Sequence, residues 1–370
     1  MNENTDSQQP PIKKAKLDEA DMFLTIDKYI NLIETTEKPL KVVLNEEVSA
    51  PLPITKVYVG HIKDVKAISK TVLLLNEKMP LKELQHLKRV KKQEIVLCPS
   101  IYLKDISIEQ YLVDCDEKLT DTFDSFKEVD VPLLPPKLKS QFEDTRKYWP
   151  CNFHPDKYLE KLFSDSVFSA EENELHRLYM RLVFVVTKWF CEKEGISIND
   201  VISKSTDLNV TVIVDPSINS VVAIATDNRI KHPIQHSAML AIDNVARTQK
   251  GGAWEIDHKQ DDDAFIDLEL LTFLKMEFRN VKFGHRKFVS KRDCKDGIEV
   301  SEEGPYLCTG YYVYMLREPC VMCSMGLVHA RAKRIFFCFD NEEDGALKSK
   351  AKLQTVASLN HHFEVFTGFL

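Results

Sequence analysis

The segment Glu318-Pro319-Cys320-Val321-Met322-Cys323 constrains the fold more than any other part of this chain. Proline is tolerated at the first helical position, because the N–H it lacks would have no intrahelical partner there. A helix starting at Pro319 puts both thiols on one face, three residues apart, close enough to share an ion. The helix N-terminus also favours thiolate over thiol, as metal binding requires. Taken alone, the pair reads equally well as two structural cysteines. His236 shifts that balance. It sits in His232-Pro233-Ile234-Gln235-His236-Ser237-Ala238-Met239, at a second expected helix start directly after two apolar strands. His236, Cys320 and Cys323 together offer one nitrogen and two thiolates, and leave the fourth position of a tetrahedral zinc open.

Cysteine usage agrees with a metal site. Nine cysteines, an odd number, are scattered over 370 residues rather than packed into a short disulfide framework. That pattern implies a reducing compartment, and the nucleus and cytoplasm are the expected location. No apolar run approaches the roughly 20 residues of a bilayer span, and the polar start MNENTDSQQP carries no secretory h-region. A net charge of −7 argues against a chain that coats nucleic acid over its whole surface, yet leaves room for local basic patches.

Residues 1–20 are polar and read as a disordered tail, with a basic cluster at Lys13, Lys14 and Lys16 that is either chance or an import signal. Residues 21–135 read as a smaller α/β domain. Its expected strands are Lys41–Leu44, Ile54–Val59 and Glu94–Leu97, and Val65, Ile68, Val72 and Leu75 have helical spacing. Leu81–Val90 is a basic amphipathic stretch. Pro132, Pro135, Pro136, Pro150 and Pro155 mark a semi-rigid connector, placed at 136–165.

The remainder, 166–370, alternates helices and strands. A helix near Asn173–Cys191 precedes strands Val210–Val214 and Val221–Thr226. A helix from His236, a charged insertion at 249–304, strand Tyr311–Leu316, a helix from Pro319 and strands Arg334–Phe339 and Phe363–Phe366 follow. The insertion has apolar periodicity around Phe265–Phe273. This alternation argues for a layered α/β sheet.

The His236 and Pro319-Cys320-x-x-Cys323 pattern resembles the zinc deaminases of the cytidine/deoxycytidylate deaminase family, whose signature is H-x-E…P-C-x-x-C. The resemblance runs from Val210 to Leu370. It narrows at LCTGYYVYMLREPCVMCSMGLVHARAKRIFF (Leu307–Phe337), which looks like the tRNA adenosine deaminases. The tail Asp344–Leu370, and LKELQHLKRV…EIVLCP in the first domain, resemble the non-catalytic subunits of the eukaryotic heterodimeric enzymes that make inosine at the wobble position. The resemblance implies a three-layer α/β/α domain with a mixed sheet, a bound zinc, a catalytic partner chain and a tRNA ligand. It also suggests the Leu370 carboxylate as a fourth ligand or cap.

One position departs from the enzyme pattern. Ala238 stands where a catalytic member has glutamate, and alanine can neither accept nor return a proton. Losing one general acid/base costs on the order of 10²–10⁴ in rate. Asp243 lies about two helical turns beyond His236 and points away from the helix start, and Asp261–Asp263 of the insertion are remote candidates. The chain alone is therefore expected to be inactive. Two other functions stay open: an independent nucleoside or nucleotide deaminase with a substitute acid, and a zinc-stabilised scaffold unrelated to deamination.

Lys82, Lys88, Arg89, Lys91 and Lys92 form a basic cluster against the single acid Glu83. Charge alone fits a solvated helix face; the resemblance favours RNA phosphates. Lys137, Lys139, Arg146 and Lys147 are weaker candidates. Asn228 and His232 stand where adenosine deaminases place substrate contacts, and His329 is expected to pack or cap. Cys191, Cys308 and Cys338 read as core thiols. Met322, Met325, Leu327 and Val328 are shared between core packing and a partner interface.

Overall fold

The computed structural model describes residues 25–104, 106–254, 265–286 and 305–370. They fall into two compact units: Lys41–Ser169 form one, and the residues up to Leu40 and from Ala170 form the other. The lysines at 13, 14 and 16, and Asp261–Asp263, lie outside the described residues. Among the described residues, no helix is long and apolar enough to cross a membrane.

Helix α1 (Ile26–Thr35) falls with the C-terminal unit, not with the expected 21–135 domain. Ile26 and Ile33 are buried, and the helix packs against the long helix Ala170–Glu194. Lys188 donates to Asp27 at 2.8 Å, and Arg177 reaches the carbonyl of Lys38. An apolar stripe recurring every third or fourth residue says that a helix is buried, but not against which partner.

The unit Lys41–Ser169 is built on an antiparallel sheet. Strands β1 (Ile54–Ile62), β2 (Val90–Lys91), β3 (Glu94–Pro99) and β4 (Phe123–Pro132) are hydrogen-bonded in the order β2–β3–β1–β4. Side chains of β3 alternate across the sheet. Ile95 and Leu97 pack with Leu75 of α2 (Ile68–Lys78) and Leu112 of α3 (Ile108–Cys115), while Val96 packs with Val57, Val59 and Trp149. The strand expected over Lys41–Leu44 is confined to Lys41–Val42. Strand β4 and helix α3 are elements the sequence pattern did not reveal.

Two expectations for this unit are corrected. Leu81–Val90 is an irregular stretch that leads into β2, not a helix; buried Leu84 and Leu87 fix it to the sheet, and Leu87 bridges to Cys151. Residues 136–165 are folded, not a connector. They contain helices Lys139–Thr145 and Lys157–Phe163, the fully buried Trp149, and Gln141, whose amide donates to the carbonyls of Glu47 (2.9 Å) and Ala50 (3.0 Å). The prolines punctuate turns between contacts that are distant in sequence.

In the other unit six strands are hydrogen-bonded in the order β10–β9–β8–β5–β6–β7. They are β5 (Val210–Asp215), β6 (Ser220–Thr226), β7 (Lys282–Phe283), β8 (Tyr312–Arg317), β9 (Arg334–Phe339) and β10 (Glu364–Thr367). Strands β8, β9 and β10 are parallel to one another, whereas β5 runs antiparallel to both β8 and β6, so the sheet is mixed. Every residue of β5 is buried, as expected of a strand covered on both faces. On one face α4 (Ala170–Glu194) brings His176 and Tyr179 onto Tyr314. On the other, Thr211 meets Ser237 of α5 (Ser237–Thr248), and α5 packs beside α7 (Val321–His329). Helix α6 (Leu268–Glu277) is the element announced by the periodicity around Phe265–Phe273. The result is a three-layer α/β/α arrangement.

Candidate metal centre

Strand β5 decides where the site lies. It runs antiparallel between β6 and β8, so the carboxyl ends of both neighbours, Thr226 and Arg317, flank its first residues. Each neighbour then turns into a helix at that edge, β6 into α5 and β8 into α7. Crevices at the carboxyl ends of strands are where open α/β sheets collect ligands. Asn209 ties the two ends together. Its backbone N–H donates to Asp227 at 2.8 Å, its side-chain amide donates to the Arg317 carbonyl at 2.9 Å, and its side-chain oxygen accepts from the Arg317 N–H at 3.1 Å.

His236 and Cys320 are the N-cap residues of the two helices, and neither uses its side chain to cap. The side chains turn towards each other instead, with Cys320 Sγ 3.7 Å from His236 Nδ1. The ligand-type atoms of His236, Cys320 and Cys323 all lie within 4.8 Å of one another. Zinc bonds of about 2.3 Å to sulfur and 2.0–2.1 Å to nitrogen give a tetrahedral S···N edge of about 3.6 Å. The donor set and its spacing therefore fit a tetrahedral, thiolate-preferring ion. Cys320 titrates far below an ordinary thiol, at about 5, chiefly because the Cys323 thiol donates to it, aided by helix N–H groups and His236. The Cys323 thiol is correspondingly pushed up, first by that same donated hydrogen bond and then by burial. By contrast, burial raises Cys191 to about 11 and Cys308 to about 12, as befits core thiols, and drives Cys338 upward too.

The cleft around these residues is lined also by Asp227, Arg229, Lys204, Asn341 and Glu318. Asp227 Oδ2 accepts from Arg229 at 2.7 Å, and burial pushes its carboxyl upward against the opposing pull of that arginine. Arg229 is held on its other side by Asp207 at 3.3 Å. None of Asn209, Asp227, Arg229 or Glu318 was singled out from the sequence. Apart from the neighbouring Asp227–Arg229 pair, these residues act through partners 10 to 108 positions away.

Ala238 is fully buried in the first turn of α5. Asp243 is not among the residues lining the cleft; it is ion-paired with Arg247 at 2.9 Å. Leu370 is not among them either; it is 42% exposed, and the Phe369 carbonyl before it accepts from Arg177. Asn228 and His232 are engaged within their own turn, Asn228 with Gln235 at 2.6 Å and His232 with the N–H of Ile234 at 3.3 Å. His329 is exposed at the end of α7, Met322 and Met325 are half-buried, and Leu327 and Val328 belong to the core.

The basic cluster of the other unit divides in two. Lys82, Lys88, Lys91 and Lys92 are exposed. Arg89 is turned inward: its guanidinium donates to Asn76 (2.7 Å) and to the carbonyls of Met79 (2.7 Å) and Val96 (3.2 Å), and burial lowers its pKa to about 10. Arg89 is thus a structural cation rather than a phosphate contact. Lys137, Arg146 and Lys147 are paired with Glu47, Glu143 and Asp144.

No protein-family model matches the chain. A protein of Danio rerio named "Probable inactive tRNA-specific adenosine deaminase-like protein 3" is 31% identical over 346 residues, covering 89% of this chain and 90% of its own length. The chain belongs to this family of inactive tRNA-specific adenosine deaminase-like proteins. Within the family, "tRNA-specific adenosine deaminase TAD3" of Arabidopsis thaliana is 28% identical over 386 residues, covering 86% of this chain and 92% of its own. The "tRNA-specific adenosine deaminase subunit TAD3" of Saccharomyces cerevisiae is 26% identical over 285 residues, covering 72% and 67%.

Proposed function

We propose that this chain is the non-catalytic subunit of a heterodimeric tRNA-specific adenosine deaminase, holding zinc for architecture and pairing with a catalytic chain that retains the glutamate. The observation that carries this reading is Ala238, fully buried two residues after the metal-type ligand His236, where the reaction needs a proton carrier. Zinc supplies Lewis acidity in a catalytic deaminase and folding free energy in either kind of chain. This chain's own residues would hold the ion through His236, Cys320 and Cys323. Among the described residues, the buried carboxylates at the cleft, Asp227 and Glu318, accept hydrogen bonds on both oxygens, and the other acids lining it, Asp207 and Asp344, are exposed. The relatives, named as inactive deaminase-like proteins or deaminase subunits, favour this reading over an independent deaminase with a substitute acid. The exposed Lys82, Lys88, Lys91 and Lys92 are the candidate contacts to tRNA phosphates.

The test is to purify the chain alone and together with its catalytic partner, and to assay inosine formation in tRNA. Activity should appear only in the combination. Turnover of tRNA, adenosine or cytidine by the isolated chain would refute the proposal.

A further inference from the structure

We infer that Glu318 is a positioning residue that sets the ligand turn at Cys320 by gathering the loop Asn341–Ser349 around its carboxylate. The inference rests on reading His236, Cys320 and Cys323 as metal ligands. Glu318 is 1% exposed, two residues before Cys320. A buried carboxylate is costly unless its oxygens are satisfied, and here they are, largely by backbone. Oε1 accepts from the N–H groups of Leu347 (2.9 Å), Lys348 (2.6 Å) and Ser349 (3.0 Å). Oε2 accepts from the Asn341 N–H (3.1 Å) and the Ser349 hydroxyl. Successive N–H groups converging on one oxygen form an anion nest, but the anion comes from this chain's own strand end.

The nest is joined to the metal ligand by the backbone. The Ala346 N–H donates to the Pro319 carbonyl at 3.0 Å, Cys320 and Gly345 form an antiparallel bridge, and Glu318 itself donates to the Phe339 carbonyl at 2.8 Å. Gly345 is required for so close an approach, since a Cβ there would lie 2.2 Å from Glu318 Oε2. Asn341 of the same loop lines the cleft and accepts from Lys204 at 2.6 Å. An apolar side chain at 318 would leave these N–H groups without an acceptor. An amide would turn a donor towards them. Either change moves Cys320 and one wall of the cleft together.

The test uses the full chain loaded with Co²⁺, whose thiolate absorption band reports ligation, alongside hydrogen exchange at Leu347, Lys348 and Ser349. Glu318→Gln should lose protection at those amides, with or without metal, and weaken Co²⁺ binding about 10–100-fold, as removal of an outer-shell partner does. Ser349→Ala, which takes away one donor, should show a smaller loss in the same direction and keeps the test alive if Glu318→Gln does not fold. Co²⁺ affinity unchanged in a folded variant whose amides have lost protection would reduce Glu318 to a loop anchor and overturn the inference. Unchanged protection would overturn it at the first step. A wild-type chain that gives no thiolate band would defeat the metal reading itself, before any variant is compared.

Discussion

The backbone N–H of Ser237 donates to Asp227 Oδ1 at 2.6 Å, so the helix that follows His236 is capped by a carboxylate from the end of the preceding strand. A helix N-terminus leaves its first N–H groups without intrahelical partners, and the residue just before it normally supplies an acceptor. His236 occupies that position but directs its ring at Cys320. Asp227 thus satisfies the first of these N–H groups while the imidazole of His236 faces the cysteines. Asp227→Ala would remove the cap, the Arg229 ion pair and the acceptor for Asn209 at once. Breaking a buried pair of this kind costs about 3–5 kcal/mol. We expect a loss near the lower end, because Arg229 is 29% exposed, together with weaker zinc retention; chemical denaturation and a zinc-release assay read the two effects.

Restoring the missing carboxylate will not restore an enzyme. Ala238 has no exposed surface, and forcing a larger side chain into a packed site costs about 1–3 kcal/mol before the carboxylate is desolvated. The cleft beside it is spanned by the Asp227–Arg229 pair and by Lys204 with Asn341. Ala238→Glu should lower the melting temperature and yield no inosine from the chain alone. Inosine formed by the purified variant without a partner would sink this expectation.

Arg89 and its lysine neighbours should separate cleanly in experiment. Arg89→Ala strands the carbonyls of Met79 and Val96 and the side chain of Asn76. Hydrogen bonds from a charged donor are worth about 1.5–3 kcal/mol, so a loss of at least that size is expected in denaturant unfolding. Lys82→Ala, Lys88→Ala and Lys92→Ala should leave stability within about 0.5 kcal/mol. Each should weaken tRNA binding and flatten its salt dependence, as removal of a phosphate contact does. Equal tRNA affinity in a triple variant would remove this cluster from the RNA surface.

The same contrast shows what the sequence could and could not disclose. His236, Cys320 and Cys323 were legible because His236 and Cys320 each stand at a helix start and Cys323 follows Cys320 by about one helical turn, a pattern written locally. Ala238 was legible as a departure from a motif. Asn209, Asp227 and Glu318 were not: Asn209 bonds the distant Arg317, Asp227 gathers the N–H groups of Asn209 and Ser237, and the donors to the Glu318 carboxylate begin 23 residues later. Arg89 counted as surface charge because composition does not say which way a guanidinium points. The connector over 136–165 failed for a similar reason: proline reports the local backbone, while the bridge from Leu87 to Cys151 that folds this stretch is a long-range contact. Leu370 was drawn in by resemblance and by its place at the chain end, and neither carries geometry.

His176 gives a prediction about pH that is independent of metal and RNA. Its Nδ1 lies 2.8 Å from the Tyr314 hydroxyl and its ring stacks on Phe336 at 4.4 Å, with 4% of the residue exposed. Burial, aided by the charge of Arg334, pushes its pKa down to about 3. In the unfolded chain the same imidazole titrates near 6.5. Between those values the unfolded state binds the extra proton, so stability is complete above about pH 6.5 and falls as the pH drops towards 3. The slope is about 1.4 kcal/mol per pH unit within that window. Carboxylates add their own slopes at the acid end, but these are shared by a His176→Gln variant and cancel in the difference. Between about pH 7 and about pH 5, wild type should therefore lose roughly 2 kcal/mol more than His176→Gln, although the variant starts lower for want of the ring stack. Parallel pH profiles of unfolding free energy would show that His176 is not held neutral in the folded core.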